Sequence, residues 1–159
     1  MNLIVAVDQN LGIGKSGALL THLSGDLKYF KEKTLGKTVI MGYNTLLSLP
    51  GAKPMKDRDN VILIDKDIDV EGATVCHSIP EVLDAVKDKD PDSVFIIGGA
   101  SVYRQFLPYC TLAYITEMEA KFDADVFFPP LDEFTLVSRS EAMEENGLRY
   151  RFCVYRRKA

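Results

Sequence analysis

The stretch Ile96–Tyr103 reads IIGGASVY. With Val94 and Phe95 before it, the run is apolar without alternation, meets two glycines, and then takes helical spacing until Pro108. Continuous apolar strands of this kind are covered on both faces. The two glycines leave two readings open. They serve a tight strand-to-helix turn, or they bare the backbone at a helix N-terminus, where a pyrophosphate binds.

The same alternation extends along the chain in both directions. Strand-like runs occur at Leu3–Val7, Thr38–Met41, Val61–Ile64, Thr74–Cys76, Val94–Ile97 and Leu112–Thr116. Helix-like segments lie between them. Ser24–Lys33 has Ser24 as its expected N-cap and sets Leu27 and Phe30 toward the interior. Pro80–Lys87 has Ser78 ahead of it and Pro80 in its first turn, and Ala100–Leu107 follows the glycine pair. Strands alternating with helices specify an α/β domain with a largely parallel sheet. The last two strands, Phe134–Arg139 and Leu148–Tyr155, have no helix between them, so an antiparallel hairpin is expected there. The loop Glu141–Gly147 ends in Asn-Gly, a hairpin-turn signal. In Leu148–Tyr155 the apolar Tyr150, Phe152 and Val154 alternate with Arg149 and Arg151. That is a half-buried strand with protective surface charge rather than a nucleic-acid strip.

The chain has 159 residues, which suits one domain over 1–159. Such a domain buries roughly two thirds of its unfolded surface without staples. Hydrophobic residues make up 47% and charged residues 26%, an ordinary globular balance. A net charge of −4 excludes nucleic-acid binding by bulk positive charge. Cys76, Cys110 and Cys153 are odd in number and far apart, and read as reduced core thiols. The N-terminal apolar run stops at Asp8, too short for a signal peptide or a membrane span. A cytoplasmic protein is expected.

Residues 12–17, GIGKSG, match G-x-G-x-x-G and also contain Gly-Lys-Ser. A P-loop needs a glycine five residues before its Gly-Lys-[Ser/Thr]. Gln9 stands there for Gly14-Lys15-Ser16, and Lys31 for Gly36-Lys37-Thr38, so both fail. A Rossmann turn needs a helix beginning within the motif and an acid closing the next strand. Here helix signals begin only at Ser24, and TVIMGYN ends without an acid. His22 and His77 have no metal-binding spacing, and there is no G-x-S-x-G elbow. Asp26, inside SGDLKYF, remains. It is either a first-turn carboxylate favoured by the helix dipole or an acid in an apolar cleft able to hold a cationic, amidine-like ring.

Taken together, LIVAVDQNLGIG, SGDLKYFKEKTLGKTVIMGYNT, IIGGASVYRQFLP and YITEMEAKFDADVFFP resemble dihydrofolate reductase of the chromosomal bacterial kind, over nearly the whole chain. The resemblance implies a single-domain three-layer α/β fold. Its central sheet would be eight-stranded, mixed and mostly parallel, with an antiparallel C-terminal strand and about four flanking helices. It also implies reduction of 7,8-dihydrofolate by NADPH. By that resemblance Asp26 is the catalytic carboxyl, holding the pterin's amidine-like edge and favouring a proton at N5. A neutral imine is a poor hydride acceptor, so that proton is the activating step. Thr116 would hydrogen-bond Asp26, and Tyr103 would lie where nicotinamide meets pterin.

Further positions follow from the same resemblance. Ile4, Val5, Leu19, Leu27, Phe30, Leu49, Met55 and Ile97 would line the substrate pocket, with Arg58 gripping the glutamate tail. Ala6, Ile13, Gly14, Leu19, Ile97 and Tyr103 would surround the nicotinamide. Gly42, Tyr43, Asn44 and Thr45 would hold phosphates, as would Gly98, Gly99, Ala100, Ser101 and Val102. Leu63, Ile64 and Asp65 would flank the adenosine. A cis peptide is implied at Gly98–Gly99, and a mobile loop over the nicotinamide at 12–17. Expected partners are the folate substrate and antifolate inhibitors, bound by a monomer with neither nucleic acid nor membrane. A same-fold reductase of another pterin or pyrimidine, or a catalytically impaired homologue, are the alternatives.

Two departures from the family pattern matter. Its usual Pro-Trp after the glycine loop is Leu20-Thr21 here, and the chain has no tryptophan. A wetter or wider pterin site is expected, which a dry, narrow pocket in a ligand-bound structure would contradict. The arginines that commonly hold the NADPH 2′-phosphate are replaced by Tyr43 and Ser101. Asn44 replaces an often basic neighbour, and Asp65 adds negative charge. Reduced discrimination against NADH follows, unless Lys66 or His77 substitutes.

Overall fold

The computed structural model describes residues 1–16 and 19–159. In chain order its elements are β1 (Asn2–Val7), β2 (Gly12–Gly14), α1 (Ser24–Thr34), β3 (Thr38–Gly42), α2 (Tyr43–Ser48), β4 (Asp59–Leu63), β5 (Ala73–Cys76), α3 (Ile79–Val86), β6 (Val94–Gly98), α4 (Ala100–Phe106), β7 (Leu112–Met118), β8 (Val126–Phe127), β9 (Phe134–Arg139), β10 (Met143–Glu145) and β11 (Leu148–Arg157). The main sheet runs β10-β11-β7-β1-β6-β3-β4-β5, with β9 also paired to β11. β1, β3, β4, β5, β6 and β7 pair in parallel, while β9, β10 and β7 meet β11 antiparallel. The mixed, mostly parallel eight-strand path and the four α-helices match expectation.

Side-chain alternation builds three layers. Leu3, Ile40, Val61 and Ile96 join Val82 and Val86 of α3 and Val102 and Phe106 of α4 in one core cluster. Their strand neighbours Val39, Met41 and Ile62 point to the other face and pack with Leu46 of α2. α1 covers the same face further along, where Tyr29 stacks on Phe152 with centroids 4.0 Å apart. The period of two splits each buried strand between two cores, which is why these strands read as unbroken apolar runs.

Three local expectations change. Ser24 is not the N-cap of α1; Leu23 holds that position and offers no side-chain bond. The missing acceptor comes from the far end of the chain, where the Glu145 carboxylate accepts from the N–H of Ser24 at 2.8 Å and of Gly25 at 3.1 Å. The segment Glu141–Gly147 is not all loop. It contains β10, which pairs Met143–Glu145 with Tyr150–Leu148 across Asn146-Gly147. Both turn residues have positive φ, 53° and 80°, as a tight hairpin turn matching strand twist requires. Helix α2, just after VIMG, and the short strands β2 and β8 are elements that local patterning did not mark.

Candidate active site

Parallel sheets place ligand sites beyond the carboxyl ends of their strands. Val7, Gly42, Leu63, Gly98 and Met118 end β1, β3, β4, β6 and β7 together. The sheet also splits there. β1 pairs with β7 along all six residues, but with β6 only at Asn2↔Phe95 and Leu3↔Ile96. Beyond Leu3, β1 and β6 part. The carbonyl of Ile4 in that gap accepts instead from the Tyr103 hydroxyl at 2.8 Å, a buried bond between α4 and β1. Burial raises the Tyr103 pKa well above its ordinary value, so its hydroxyl stays a donor.

Asp26 stands beside this gap. Its Oδ1 accepts from the hydroxyl of buried Thr116 at 2.6 Å. Thr116 lies opposite Ala6 in register, on the face shared by Ile4, and so fixes the carboxyl relative to β1. Burial raises the Asp26 pKa above the ordinary carboxylate value, and the Thr116 bond offsets part of that. Along α1, the i, i+4, i+8 stripe carries Asp26, Phe30 and Thr34 on one side. The Thr34 hydroxyl donates to the Phe30 carbonyl at 2.8 Å and accepts from Arg58 Nε at 3.0 Å. Arg58 Nη1 donates to the Lys56 carbonyl at 2.8 Å. A carboxyl and a guanidinium are thus held at opposite ends of one helix face, eight residues or about 12 Å apart along its axis.

Leu49, Met55 and Ile97 pack on the cluster of Val39, Met41 and Leu46, and Ile4 is buried at the gap. Three expected wall positions differ. Leu27 is 44% exposed instead of facing inward. One residue past Asp26 rotates it about 100° from the stripe that faces the sheet. Val5 packs into the cluster on the opposite sheet face, because strand neighbours alternate sides; only its backbone can reach the gap. Leu19 is 73% exposed.

The second set of positions converges at the ends of β3 and β6. The Gly98–Gly99 peptide is cis, as the resemblance implied. Gly98 has φ +124°, open to glycine almost alone, and a Cβ there would lie 3.4 Å from Thr45 Oγ1 and from Tyr103. A Cβ on Gly42 would lie 3.0 Å from Val102. Helices α2 and α4 begin at Gly42 and Gly99 without side-chain caps. Tyr43 packs beside Leu46, while Ser101 accepts from Gln105 at 2.9 Å. Ile64 is buried and Leu63 lines the other core, while Asp65, Asn44 and Ser101 are exposed. Ala6 packs near Leu23, and Ala100 lies in the first turn of α4.

The glycine segment is held as a strand. Gly12–Gly14 pairs with β8, and Asp8 Oδ1 accepts from the N–H of Asn10 and Gly12, both at 2.8 Å, while its Oδ2 accepts from Phe122 at 2.9 Å. A Cβ on Gly12 would lie 2.6 Å from that of Ala124, so close packing requires glycine. Ser16 N–H donates to Asp125 at 2.9 Å and Lys15 pairs with Asp123. Ile13 packs on the main core. Gly17 lies outside the described residues. Sequence reading missed Thr34, Asp8 and Glu145. Only Asp8 had a local signal, an acid two residues before an Asn-x-Gly turn.

A family model described as dihydrofolate reductase matches residues 1–157. The dihydrofolate reductase of Bacillus subtilis (strain 168) is 36% identical over 163 residues, covering 99% of this chain and 95% of that one. That of Haemophilus influenzae is 34% identical over 161 residues, covering 99% and 98%. The structure of dihydrofolate reductase from Enterococcus faecalis, complexed with NADP(H) and RAB-propyl, superposes with a TM-score of 0.89 at 31% identity, covering 99% and 96%. With the family model spanning residues 1–157 and the fold shared with a solved member, the protein belongs to the dihydrofolate reductase family.

Proposed function

We infer that the protein reduces 7,8-dihydrofolate to 5,6,7,8-tetrahydrofolate with hydride from NADPH, and that Asp26 is its catalytic carboxyl. The observation that carries the site assignment is the helix face with Asp26 on Thr116 at one end and Arg58 on Thr34 at the other. It suits a substrate with an amidine-like ring at one end and a carboxylate at the other. The same spacing favours a folate over a shorter pterin or pyrimidine.

The residues fit the dinucleotide as well. Two uncapped helix starts at Gly42 and Gly99, with bare backbone between Thr45 and Val102, suit an anionic pyrophosphate. Gly42 to Thr45 and Gly98 to Val102 would hold it, with Leu63 to Asp65 beside the adenosine and Ala6, Ile13, Gly14 and Tyr103 around the nicotinamide. NADPH supplies the hydride when bound. Asp26 holds the pterin edge and favours a proton at N5, which makes C6 electrophilic. Its raised pKa keeps a proton available closer to neutral pH. Thr116 orients the carboxyl and leaves its second oxygen for the ring. Arg58, its plane set by Thr34 and Lys56, keeps Nη2 for the tail carboxylate. Ile4, Phe30, Leu49, Met55 and Ile97 exclude water, and segment 12–16 closes one side.

Mixing the protein with dihydrofolate and NADPH, and following loss of reduced-nicotinamide absorbance, tests this reading. Asp26→Asn is expected to lose about a hundredfold or more. Full activity in that variant, or none in the parent protein, overturns it. A monomer working in the cytoplasm completes the proposal. Three free buried cysteines suit a reducing compartment, and no described helix is long and apolar enough to cross a membrane. Cell fractionation checks the location.

A further inference from the structure

We propose that Glu145 is a positioning residue for this reaction: presented by the β10–β11 turn, its carboxylate caps the first turn of α1 and holds Asp26 in register with Thr116. The inference rests on the reading of Asp26 as the catalytic carboxyl. Helix α1 has no cap of its own, since Leu23 precedes it. An uncapped start leaves up to four N–H groups unpaired and frays. Both Glu145 oxygens are engaged there, Oε2 with Ser24 N–H at 2.8 Å and Oε1 with Gly25 N–H at 3.1 Å. Asp26 is the next residue. The join is close, because a side chain on Gly25 would collide with the Tyr150 hydroxyl, and Glu145 Oε1 lies 3.7 Å from that position. Tyr150 is itself buried against Leu23 and Met118, so hairpin, helix start and β7 form one packed unit.

The contact also has an electrostatic consequence. A bare helix start carries partial positive charge and favours the ionised form of a first-turn carboxyl. The Glu145 anion offsets that charge and leaves the Asp26 proton more firmly held. Other titratable groups facing the pair are Tyr29 on α1, Tyr103 on α4, Tyr150 on β11 and His22 ahead of α1. Glu119 lines a groove shared with His22, Leu23 and Glu145, engaged with Arg149 and Arg151. Of these, His22 acts on the Glu145 carboxylate itself, so it is replaced in a control background.

The test compares wild type, Glu145→Gln, Glu145→Ala and Asp26→Asn with dihydrofolate and NADPH. It records KM, the pH profile of the single-turnover hydride step, and Tm, and repeats the profiles in a His22→Asn background. Glu145→Gln keeps a neutral acceptor and removes the charge. Its profile is expected to move toward acid by about half a pH unit, roughly a threefold loss on the alkaline side with the acid plateau retained. Glu145→Ala should also lower the plateau severalfold with KM little changed. If Asp26→Asn is inactive while both Glu145 variants keep the wild-type profile, or lose only Tm, the proposal is overturned and the site assignment stands. If Asp26→Asn retains full activity, the reading of the site itself falls.

Discussion

In the proposed site, Asp26 occupies a place that would serve chemistry at the expense of stability. Burial raises its folded-state pKa above the unfolded value, so the unfolded chain releases that proton at lower pH than the folded one. Below the unfolded pKa both states hold the proton and there is no penalty. As pH rises through the interval up to the folded pKa, the penalty grows, and above it the full cost is present. Asp26→Asn is therefore expected to raise Tm at pH 7, with the gain fading as pH falls through the ordinary carboxylate range. Thermal melts at pH 7 and pH 3.5 check this; an equal gain at both would show that charge burial is not the cause. The proposed cofactor end turns on single residues too. Tyr43 and Ser101 would bring no cation to the side assigned to the adenosine, where Asp65 is exposed. Each charge-assisted bond is worth roughly 1.5–3 kcal/mol. The ratio of kcat/KM for NADPH over NADH is accordingly expected to be modest, and a preference of several thousandfold would refute that.

Helix starts show how one kind of residue differs in worth between elements. Ser78 is a true N-cap of α3, accepting from Glu81 N–H at 3.2 Å. Ser24, with the same local signature, is the first helical residue of α1 and caps nothing. Ser78→Ala is expected to cost about 1 kcal/mol. Ser24→Ala should cost less than about 0.5 kcal/mol, the ordinary surface range. Urea titrations of the two variants measure both, and equal losses would contradict the assignment. The difference arises because β10 delivers a carboxylate to α1 from more than a hundred residues away, whereas α3 has no such neighbour.

At the scale of the molecule, the sheet acts as the frame for the two halves of the proposed site. The parting of β1 from β6 opens the gap, and the glycine ends of β3 and β6 form its other side. One edge is formed by β9 and β10, where Leu136, Val137 and Met143 are exposed. Three exposed side chains are far below the area that a stable dimer buries. Sedimentation at micromolar concentration is expected to show one species near 17.7 kDa, and a concentration-dependent doubling would revise this.

Much of this was legible in the residues themselves. Unbroken apolar runs separated by helical spacing determined a parallel α/β sheet, because burial on two faces demands it. Gly98-Gly99 after such a run located a backbone-lined turn, and Asp26 at a helix start remained once the metal, triad and P-loop chemistries failed. GIGKSG failed both nucleotide motifs, and its first glycine proves to be set by contact with Ala124. What chain order could not contain was decided by packing. Thr116 beneath Asp26, Thr34 beneath Arg58 and Glu145 on the α1 start are pairs separated by 24 to 121 residues. Val5 lies on the opposite sheet face and Leu27 is exposed because strand parity and helix rotation act on each residue only once the register is set. Local spacing carries the period of an element, but which face meets which neighbour depends on the assembled sheet.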